Sequence, residues 1–516
     1  MCAVTPCGAA FEIAPDRIRL TPFRKSRGDI MALHVYDHVT RSRRKFEPIH
    51  PGKVGMYVCG MTVQDKPHVG HMFAFVACDM VRRYLMHLGY DVTYIQNFTD
   101  IDDKIIVKAR EEGVSAEEVA RRNMDLYHEY AAALNILPAD QYPLVTGHIP
   151  EIIAFIETLV AKGNAYAAAG DVYFRVRSYD EYGFLSGRHV DDMRSGTRIE
   201  VGEKKDDPLD FALWKSSPDD EPGWESPWGR GRPGWHIECS AMSTNILGNH
   251  FDFHGGGRDL LFPHHENECA QSSCGTGEKY VNFWLHNGLL FLGDKKMSKS
   301  DGNFFAMGDV LEKFSAEIIR FFLLNAHFRS QIDYGDERLR EAEAAYGRLR
   351  RGMARLAALR TDQVDPVPEG LISEAGETLG KAVRELERRF FAAMDDDFNS
   401  GGALGSLFTV VKEVNQYATA AGAKIRDRAV LEETWTFLAT AVDILGLHPK
   451  GIEGLVAADT PAVPDEVIAM AAARDIARAE KNWAEADRLR DEIKECGFLV
   501  EDGSDGFRVR PLGGTD

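Results

Sequence analysis

Residues 54–71, VGMYVCGMTVQDKPHVGH, contain a strand, a loop and the beginning of a helix, in that order. Val54 and Met56 alternate with smaller residues, which is typical of a strand, and glycine and proline then interrupt the pattern. After Gly70 the apolar residues recur at helical spacing as far as Leu88. A strand, loop and helix in this order form the front of a nucleotide-binding βα unit. The sequence therefore predicts an α/β fold.

Two histidines flank the glycine at the predicted helix start. Backbone amides at a helix N-terminus are unpaired, so phosphate binds there. His68 and His71 can donate to phosphate oxygens, and Gly70 lets a nucleotide approach the backbone. This short motif alone is also compatible with a loop that carries two surface histidines.

Composition narrows the class of protein. A chain of 516 residues suggests about three domains, and 44% hydrophobic with 27% charged residues is typical of a globular protein. No apolar run approaches the roughly 20 residues of a membrane span. A net charge of −19 argues against indiscriminate nucleic-acid binding but leaves room for a specific RNA partner. Eight cysteines in so long a chain form no disulfide framework, which predicts a reducing, cytoplasmic compartment.

Residues 1–30 carry no apolar signal core, and their basic residues are interspersed with acids, which weakens a transit-peptide interpretation. We therefore expect a disordered N-terminal extension or a true start at Met31. Beyond it, Leu33–Val39 and Phe46–Ile49 predict a hairpin around a basic run.

A second strand, Val92–Phe98, ends in an acidic stretch. Asp100 or Asp102 is expected to cap the next helix. Alternatively, this strand end has a functional role in which Thr99 faces a ligand.

The chain then changes character twice. Residues 105–163 predict three helices, and residues 164–224 predict short strands and turns that form an insertion in the nucleotide-binding domain. The sheet resumes at Phe251 and ends in three glycines. These glycines, including Gly256, permit close contact with a sugar or base, and Asp259 can accept from ribose hydroxyls. A plain tight turn is the alternative.

Four residues distant in sequence suit a metal ion. His264 and Glu268 are four apart at a helix start and share one face, whereas Cys59 and Cys239 are expected at strand ends or turns. Two thiolates, an imidazole and a carboxylate suit tetrahedral zinc. Because there is no C-x-x-C pair, scattered buried cysteines with capping residues remain the alternative.

A second phosphate element follows the strand-rich residues 281–292. Lys296 and Lys299 lie in a Gly-flanked loop with the sequence KMSKS at 296–300. Such a loop can close over a triphosphate and neutralise leaving pyrophosphate.

With both elements in view, the chain resembles class I aminoacyl-tRNA synthetases, and among them the cysteinyl-tRNA synthetase family, from about Met31 to Pro511. The motifs that carry the resemblance lie at residues 56–60, 97–104, 234–240, 262–268, 296–300 and 394–399. The pattern departs from the family at Gln64–Pro67, Val69 and Arg258, which bears on ATP affinity.

The resemblance implies a Rossmann-type catalytic domain with an insertion, then a helical bundle domain and a small anticodon-binding domain. The implied segments are an N-terminal extension (1–30), the catalytic domain (31–335) with an inserted region at about 146–224, a helical domain that contacts the tRNA stem (336–448), a linker (449–464) and an anticodon-binding domain (465–516).

The resemblance also implies roles for individual residues. The implied zinc ligands are Cys59, Cys239, His264 and Glu268. The implied ATP-binding residues are His68, Gly70, His71, Gly256, Asp259, Lys296 and Lys299, of which the histidines and lysines are catalytic. The implied cysteine-binding residues are Gly60, Thr99 and Trp235, and the implied tRNA-binding residues are Arg478, Trp483, Asp487 and Asp502.

The implied activity is formation of cysteinyl-adenylate from L-cysteine and magnesium-ATP, followed by transfer to tRNA(Cys), by a monomer. One zinc per chain would bind the substrate thiolate and reject serine. Two rivals remain. A ligase that joins cysteine to a sugar amine would lack the helical and anticodon domains, and a non-catalytic zinc- and RNA-binding relative would have lost His68, His71 or Lys299.

Overall fold

The computed structural model of the chain describes most of its length. The described residues are 32–190, 204–292, 295–296, 305–362, 364–368, 371–421, 426–457, 464–503 and 506–511. Among them, no helix combines the length and apolar character needed to cross a membrane.

The N-terminal part of the chain builds a hairpin and a parallel βα unit. Its elements are β1 (His34–Asp37), β2 (Ser42–Lys45), β3 (Lys53–Val58), α1 (Val69–His87), β4 (Asp91–Gln96), α2 (Asp103–Glu112), α3 (Ala116–Ala133) and α4 (Ile149–Ala161). The strand and helix predicted within residues 54–71 are confirmed as β3 and α1. The hairpin forms, but its second strand is β2 rather than Phe46–Ile49, because Arg44 in the basic run pairs with Asp37 of β1 at 2.7 Å.

A small antiparallel sheet follows as the insertion. Its strands are β5 (Ala165–Ala168), β6 (Asp171–Phe174), β7 (Phe211–Ser216) and β8 (Gly231–Pro233), which pair in that order. The sheet thus continues past the expected limit at residue 224. The reason is local packing, since a Cβ at Gly231 would lie 2.3 Å from Nε1 of Trp214 in β7, so only glycine lets β8 approach.

The chain then completes the central sheet. The next elements are α5 (Ile237–Leu247), β9 (Phe251–Gly257), α6 (Glu266–Thr276), β10 (Val281–Asn287), β11 (Leu290–Leu292), β12 (Lys295–Lys296), α7 (Met307–Leu311), α8 (Ala316–Leu324) and β13 (Ile332–Asp333). The four strands of the central sheet lie in the order β10–β9–β3–β4 and are all parallel. Their carboxyl ends meet at one edge, where α/β proteins bind ligands. The three glycines that end β9 pair with β10 rather than forming a turn.

Helices dominate the remaining chain. They are α9 (Asp336–Thr361), α10 (Glu374–Asp395), α11 (Ser400–Ala421), α12 (Arg428–Leu445) and α13 (Gly451–Ala457), followed by α14 (Asp465–Ala479), α15 (Trp483–Glu495), β14 (Phe498–Gly503) and β15 (Gly506–Pro511). The prediction of a linker at 449–464 is wrong in its first half. There α13 buries Ile452 and Leu455 in the main hydrophobic core.

The connection between α10 and α11 joins the helices to the catalytic sheet region. Asp395 accepts a hydrogen bond from Tyr84 of α1 at 2.5 Å. Asp397 accepts from Arg329 at 2.7 and 3.1 Å and from the backbone amide of Tyr36 in β1 at 3.0 Å. Asp395 at the end of α10 and Asp397 in the connection therefore contact α1, β1 and the segment around Arg329.

A buried ion cluster fastens α1 to α8. Asp79 accepts from Arg83 at 2.8 Å and from Arg320 at 2.5 Å, and all three side chains are nearly inaccessible to solvent. Arg320 also donates to the backbone oxygens of Leu134 and Leu445, so it ties the end of α3 to α12.

Candidate active site and metal centre

The N-terminus of α1 holds the two histidines in one arrangement. His68 is the N-cap residue, and its Nδ1 accepts from the backbone amide of His71 at 3.2 Å. Nδ1 of His71 accepts in return from the amide of His68 at 3.4 Å, and the two rings stack 3.5 Å apart. Burial lowers the pKa of His68 to about 4 and that of His71 well below its usual value. Both rings are therefore neutral with the proton on Nε2, and a neutral imidazole N–H is a hydrogen-bond donor of the kind that an anion accepts from.

A cavity of about 280 Å³ lies beside these histidines at the carboxyl ends of the central strands. It brings together most of the predicted site residues. Those that line it are Cys59, Gly60, His68, Gly70, His71, Thr99, Trp235, Cys239, Asp259 and His264. Gly257 lines the cavity, whereas Gly256 does not, and a Cβ at Gly256 would lie 2.8 Å from Cε1 of His265. Glycine at 256 therefore accommodates a histidine ring rather than the cavity.

Two tight contacts shape the cavity floor. A Cβ at Gly60 would lie 1.5 Å from the carbonyl oxygen of Asn97, so the chain after β3 passes against the end of β4 only with glycine there. Thr99 donates its hydroxyl hydrogen to Glu238 at 2.8 Å, and both side chains are buried. Glu238 thus fixes the Thr99 hydroxyl.

Four predicted ligands converge behind this floor. Sγ of Cys59 lies 3.7 Å from Sγ of Cys239, 3.4 Å from Nε2 of His264 and 3.5 Å from Oε1 of Glu268. Nε2 of His264 and Oε1 of Glu268 are 3.0 Å apart. Tetrahedral zinc with bonds of about 2.3 Å to sulfur and about 2.0 Å to nitrogen or oxygen implies separations of about 3.8 Å (S–S), 3.5 Å (S–N or S–O) and 3.3 Å (N–O). The residues fit a tetrahedral metal ion.

The partners of these ligands select which atoms face inward. Nδ1 of His264 lies 2.9 Å from Nδ1 of His236, which directs Nε2 toward the two sulfurs. Oε2 of Glu268 is hydrogen-bonded to Nε2 of His254 at 2.8 Å and accepts from the Tyr280 hydroxyl at 3.2 Å. Oε1 of Glu268 is therefore left for a cation. Such outer partners orient metal ligands in proteins.

The charges of the cluster also favour a bound metal ion. Burial raises the pKa of the Cys59 thiol. Burial would also raise the pKa of Cys239, but the hydrogen bond from Cys59 outweighs it and lowers the pKa of Cys239 to about 6. His254 and His264 outweigh burial and hold the pKa of Glu268 well below its usual range, and Glu268 in turn raises the pKa of His264 to about 10 against burial. A buried thiolate and a buried carboxylate thus lie beside one charged imidazole, and the excess of negative charge favours a divalent cation.

A second grouping shares two of these residues. Cys59, His254, His265 and Glu268 also have ligand atoms within 4.8 Å of one another. His254 is already bonded to Oε2 of Glu268, and Nε2 of His265 lies 3.9 Å from Oε1 of Glu268. Cys59, Cys239 and His264 of the first grouping line the cavity, whereas His254 and His265 of the second do not.

The structure corrects the placement of one ligand. Cys239 does not end a strand or lie on a turn but belongs to the first turn of α5, which begins at Ile237. No side chain caps this helix, so the usual helix-start signal was missing. The sequence analysis also missed His236, Glu238, His254 and Tyr280. For the first two, the signal was their place beside Cys239 in the motif at residues 234–240.

The remaining predicted residues lie elsewhere. Lys296 is in β12, and Lys299 lies outside the described residues. Arg478 is in the last turn of α14, Trp483 begins α15, Asp487 follows one turn later, and Asp502 is in β14. Trp483 is 59% exposed, so most of its ring is not used for packing within the domain.

Comparisons with known proteins cover most of the chain. Residues 45–344 match the family model "tRNA synthetases class I (C) catalytic domain", residues 389–448 the "DALR domain", and residues 460–510 the "Cysteinyl-tRNA ligase anticodon binding domain".

Individual relatives agree with these matches. A cysteine–tRNA ligase of Alkalilimnicola ehrlichii is 49% identical over 93% of this chain and 99% of its own length. One of Pelotomaculum thermopropionicum is 45% identical over 93% of this chain and 100% of its own length. The solved methionyl-tRNA synthetase of Mycobacterium tuberculosis, in complex with methionyl-adenylate, shares the fold with a TM-score of 0.56 at 17% identity, over 77% of this chain and 90% of that one. With the class I catalytic fold present and relatives of this similarity matched over nearly their whole length, the chain belongs to the cysteine–tRNA ligase family.

Proposed function

We propose that this chain joins cysteine to ATP to form cysteinyl-adenylate and then transfers the cysteinyl group to the 3′ end of tRNA(Cys). The observation that carries the proposal is the meeting, in one cavity, of a phosphate-binding helix start with a thiol-rich metal cluster. Family membership and the matched anticodon-binding domain support tRNA as the second substrate.

The first step needs little covalent chemistry from the protein. An oxygen of the cysteine carboxylate bonds to the α-phosphorus of ATP while the bond to pyrophosphate breaks, and positioning with charge stabilisation accounts for most of the rate. The Nε2–H groups of His68 and His71 face the phosphates as donors. Lys296 and Lys299 are proposed to neutralise pyrophosphate, with magnesium bound to ATP.

Cysteine is proposed to bind over the metal cluster. One zinc, held by Cys59, Cys239, His264 and Glu268, would bind the substrate thiolate, a bond that serine's harder hydroxyl does not replace. Around it, Gly60, Thr99 and Trp235 shape the pocket. The Trp235 ring lies 4.4 Å from the His264 ring and is 38% exposed, so it closes the outer side.

Recognition of tRNA is assigned to the later domains. The exposed Trp483 ring suits stacking on an unstacked base, and Arg478, Asp487 and Asp502 supply base-edge partners. The domain division at 336–448 and 465–516, the monomeric state and a cytoplasmic location are parts of the same proposal.

Two partial reactions test the proposal. Cysteine-dependent ATP–pyrophosphate exchange reports the first step, and charging of a mixed tRNA pool reports the second. We expect Lys299→Ala to slow exchange by at least about tenfold, the scale of one lost electrostatic contact, without changing cysteine binding. Lys313→Ala is the matched control because this lysine pairs with Asp336 outside the cavity. Exchange at the wild-type rate in Lys299→Ala would remove this role, and exchange without any charging of tRNA would favour the sugar-amine ligase.

X-ray absorption of the zinc-loaded protein tests the selectivity. The zinc shell should gain one sulfur ligand when cysteine is added and none when serine is added. An unchanged shell with cysteine would make the metal purely structural.

A further inference from the structure

A row of three histidines extends from the metal cluster to the first hairpin. Nδ1 of His265, the residue after the predicted ligand His264, lies 2.7 Å from Nε2 of His286 in β10. Nδ1 of His286 lies 3.1 Å from Nε2 of His38, which is in the turn between β1 and β2. His265 and His286 are buried, whereas His38 is half-buried. The row therefore joins the buried cluster to a turn of the hairpin.

Arg329 ends the row on the side away from the metal cluster. Its Nη1 lies 3.3 Å from Nε2 of His38. Its Nε and Nη2 donate to Asp397 at 2.7 and 3.1 Å, and this carboxylate is buried. Asp397 belongs to the connection between α10 and α11, within the segment that matches the DALR domain. The helical part of the chain thus holds the arginine that contacts the first histidine.

The arginine determines the direction of the hydrogen bonds in the row. Burial lowers the pKa of all three rings, that of His38 to about 4, so each ring is neutral and carries one hydrogen. A guanidinium only donates, so Nε2 of His38 accepts. Nδ1 of His286 then donates to His38, and Nε2 of His286 accepts from Nδ1 of His265. Nε2 of His265 is left without a hydrogen.

This bare nitrogen of His265 lies beside the metal cluster. It is buried, lies 3.9 Å from Oε1 of Glu268 and has no hydrogen-bond partner among the residues that the structure describes. With the opposite tautomer, Nε2 would carry a hydrogen that Oε1 of Glu268 could accept. That bond would compete with a metal ion for the carboxylate oxygen. The direction of the row avoids this competition.

We infer that Arg329, held by Asp397, positions the metal site through the histidine row. It keeps Nε2 of His265 without a hydrogen and so leaves Oε1 of Glu268 to the metal ion. The helical part of the chain thereby contributes to metal affinity through Arg329 rather than by supplying a ligand. The inference deepens the proposed function, since the zinc ion concerned is the one proposed to bind cysteine.

Hydrogen positions test the direction of the row. Neutron diffraction from crystals of the deuterated, zinc-loaded full chain should show deuterium on Nδ1 of His265 and on Nδ1 of His286, with none on Nε2 of either ring. Deuterium on Nε2 of His265 would overturn the inference. This readout does not depend on the turnover of cysteine.

Zinc affinity tests the role of Arg329. Arg329→Met removes the donors, and the row can then reverse so that Nε2 of His265 donates to Glu268. Competition against a chelator should show a zinc affinity lower by about tenfold or more, the usual scale when an outer partner is removed. Arg329→Lys should recover most of the affinity, because an ammonium also only donates. Arg43→Met is the matched control, since Arg43 pairs with Asp396 at the same connection, outside the histidine row.

A double variant keeps the test readable if Arg329→Met does not fold. Arg329→Met with Asp397→Asn removes both charges, and asparagine suits the φ of +56° at this position. Unchanged zinc affinity in a folded variant without the arginine, or an equal loss in Arg43→Met, would overturn the inference.

Kinetics separate this role from general damage to the fold. In Arg329→Met at limiting zinc, the KM for cysteine in ATP–pyrophosphate exchange should rise while the KM for ATP stays unchanged, because the phosphate-binding helix start lies outside the histidine row. Equal rises in both values would contradict the inference. Failure of the proposed function is distinguishable, since the wild-type protein would then show no cysteine-dependent exchange whatever its zinc affinity.

Discussion

His236 is expected to control the zinc affinity although it is not a ligand. Nε2 of His264 faces the two sulfurs, so its Nδ1 carries the hydrogen and donates to Nδ1 of His236 at 2.9 Å. His236→Phe keeps a ring of similar size but removes the acceptor. The buried N–H of His264 is then unpaired, which costs about 1–3 kcal/mol. That energy corresponds to a loss of roughly 5- to 150-fold in zinc affinity, in line with the effect of outer partners at other metal sites.

The assay is competition for zinc against a chelator of known affinity, with cysteine activation measured in parallel at saturating zinc. His87→Phe is the matched control, because His87 is also buried and stacks on Phe391 away from the cluster. The reasoning is refuted if His236→Phe binds zinc as tightly as wild type while retaining its fold, or if His87→Phe loses zinc equally.

Three further predictions follow from other parts of the structure. Cys239→Ser should lose zinc or weaken cysteine activation far more than ATP binding, measured by metal content and by the two KM values. A chain ending after Ala457 should keep ATP–pyrophosphate exchange but charge tRNA poorly, and full charging would show that the C-terminal domain does not read tRNA. Asp79→Asn should destabilise the protein by about 3–5 kcal/mol in urea unfolding, because it leaves Arg83 and Arg320 buried without a counter-charge. These arginines outweigh burial and hold the pKa of Asp79 below its usual range. The stabilisation by Asp79 is therefore present above the unfolded-state pKa and should be lost as the pH falls through the lowered folded-state pKa. Equal dependence of stability on pH in wild type and Asp79→Asn would contradict this.

The sequence predicted the features that depend on residues close together in the chain. Residues 54–71 follow strand and helix periodicity, and the pairing of His264 with Glu268 depends on helical spacing within one segment. By contrast, His254 lies in β9 and Tyr280 lies just before β10, and both are hydrogen-bonded to Glu268 in α6. No spacing rule gives such contacts, because the packing of whole elements brings them together.

The same difference between local and long-range contacts explains why α13 was predicted as a linker. Pro449 and neighbouring glycines are typical of a linker, and α13 is too short to be stable by itself. Ile452 and Leu455 become buried only because α9 and α12 are already side by side. Tertiary burial, which the sequence does not display, therefore determines this element.

The main hydrophobic core has a consequence for how the protein melts. Among the described residues it has members from Leu33 to Leu455 and so passes through both the catalytic sheet and the helical bundle. A second core, which contains Tyr57, Ile95 and Phe251, lies on the other face of the same central strands, so these strands join the two cores. Val467, Ile493 and Phe498 form a separate small core. Elements that share one core lose their packing together. Calorimetry should therefore record one large cooperative endotherm for the first 457 residues and a second, smaller one for the C-terminal domain, even though family comparisons divide the same chain into three.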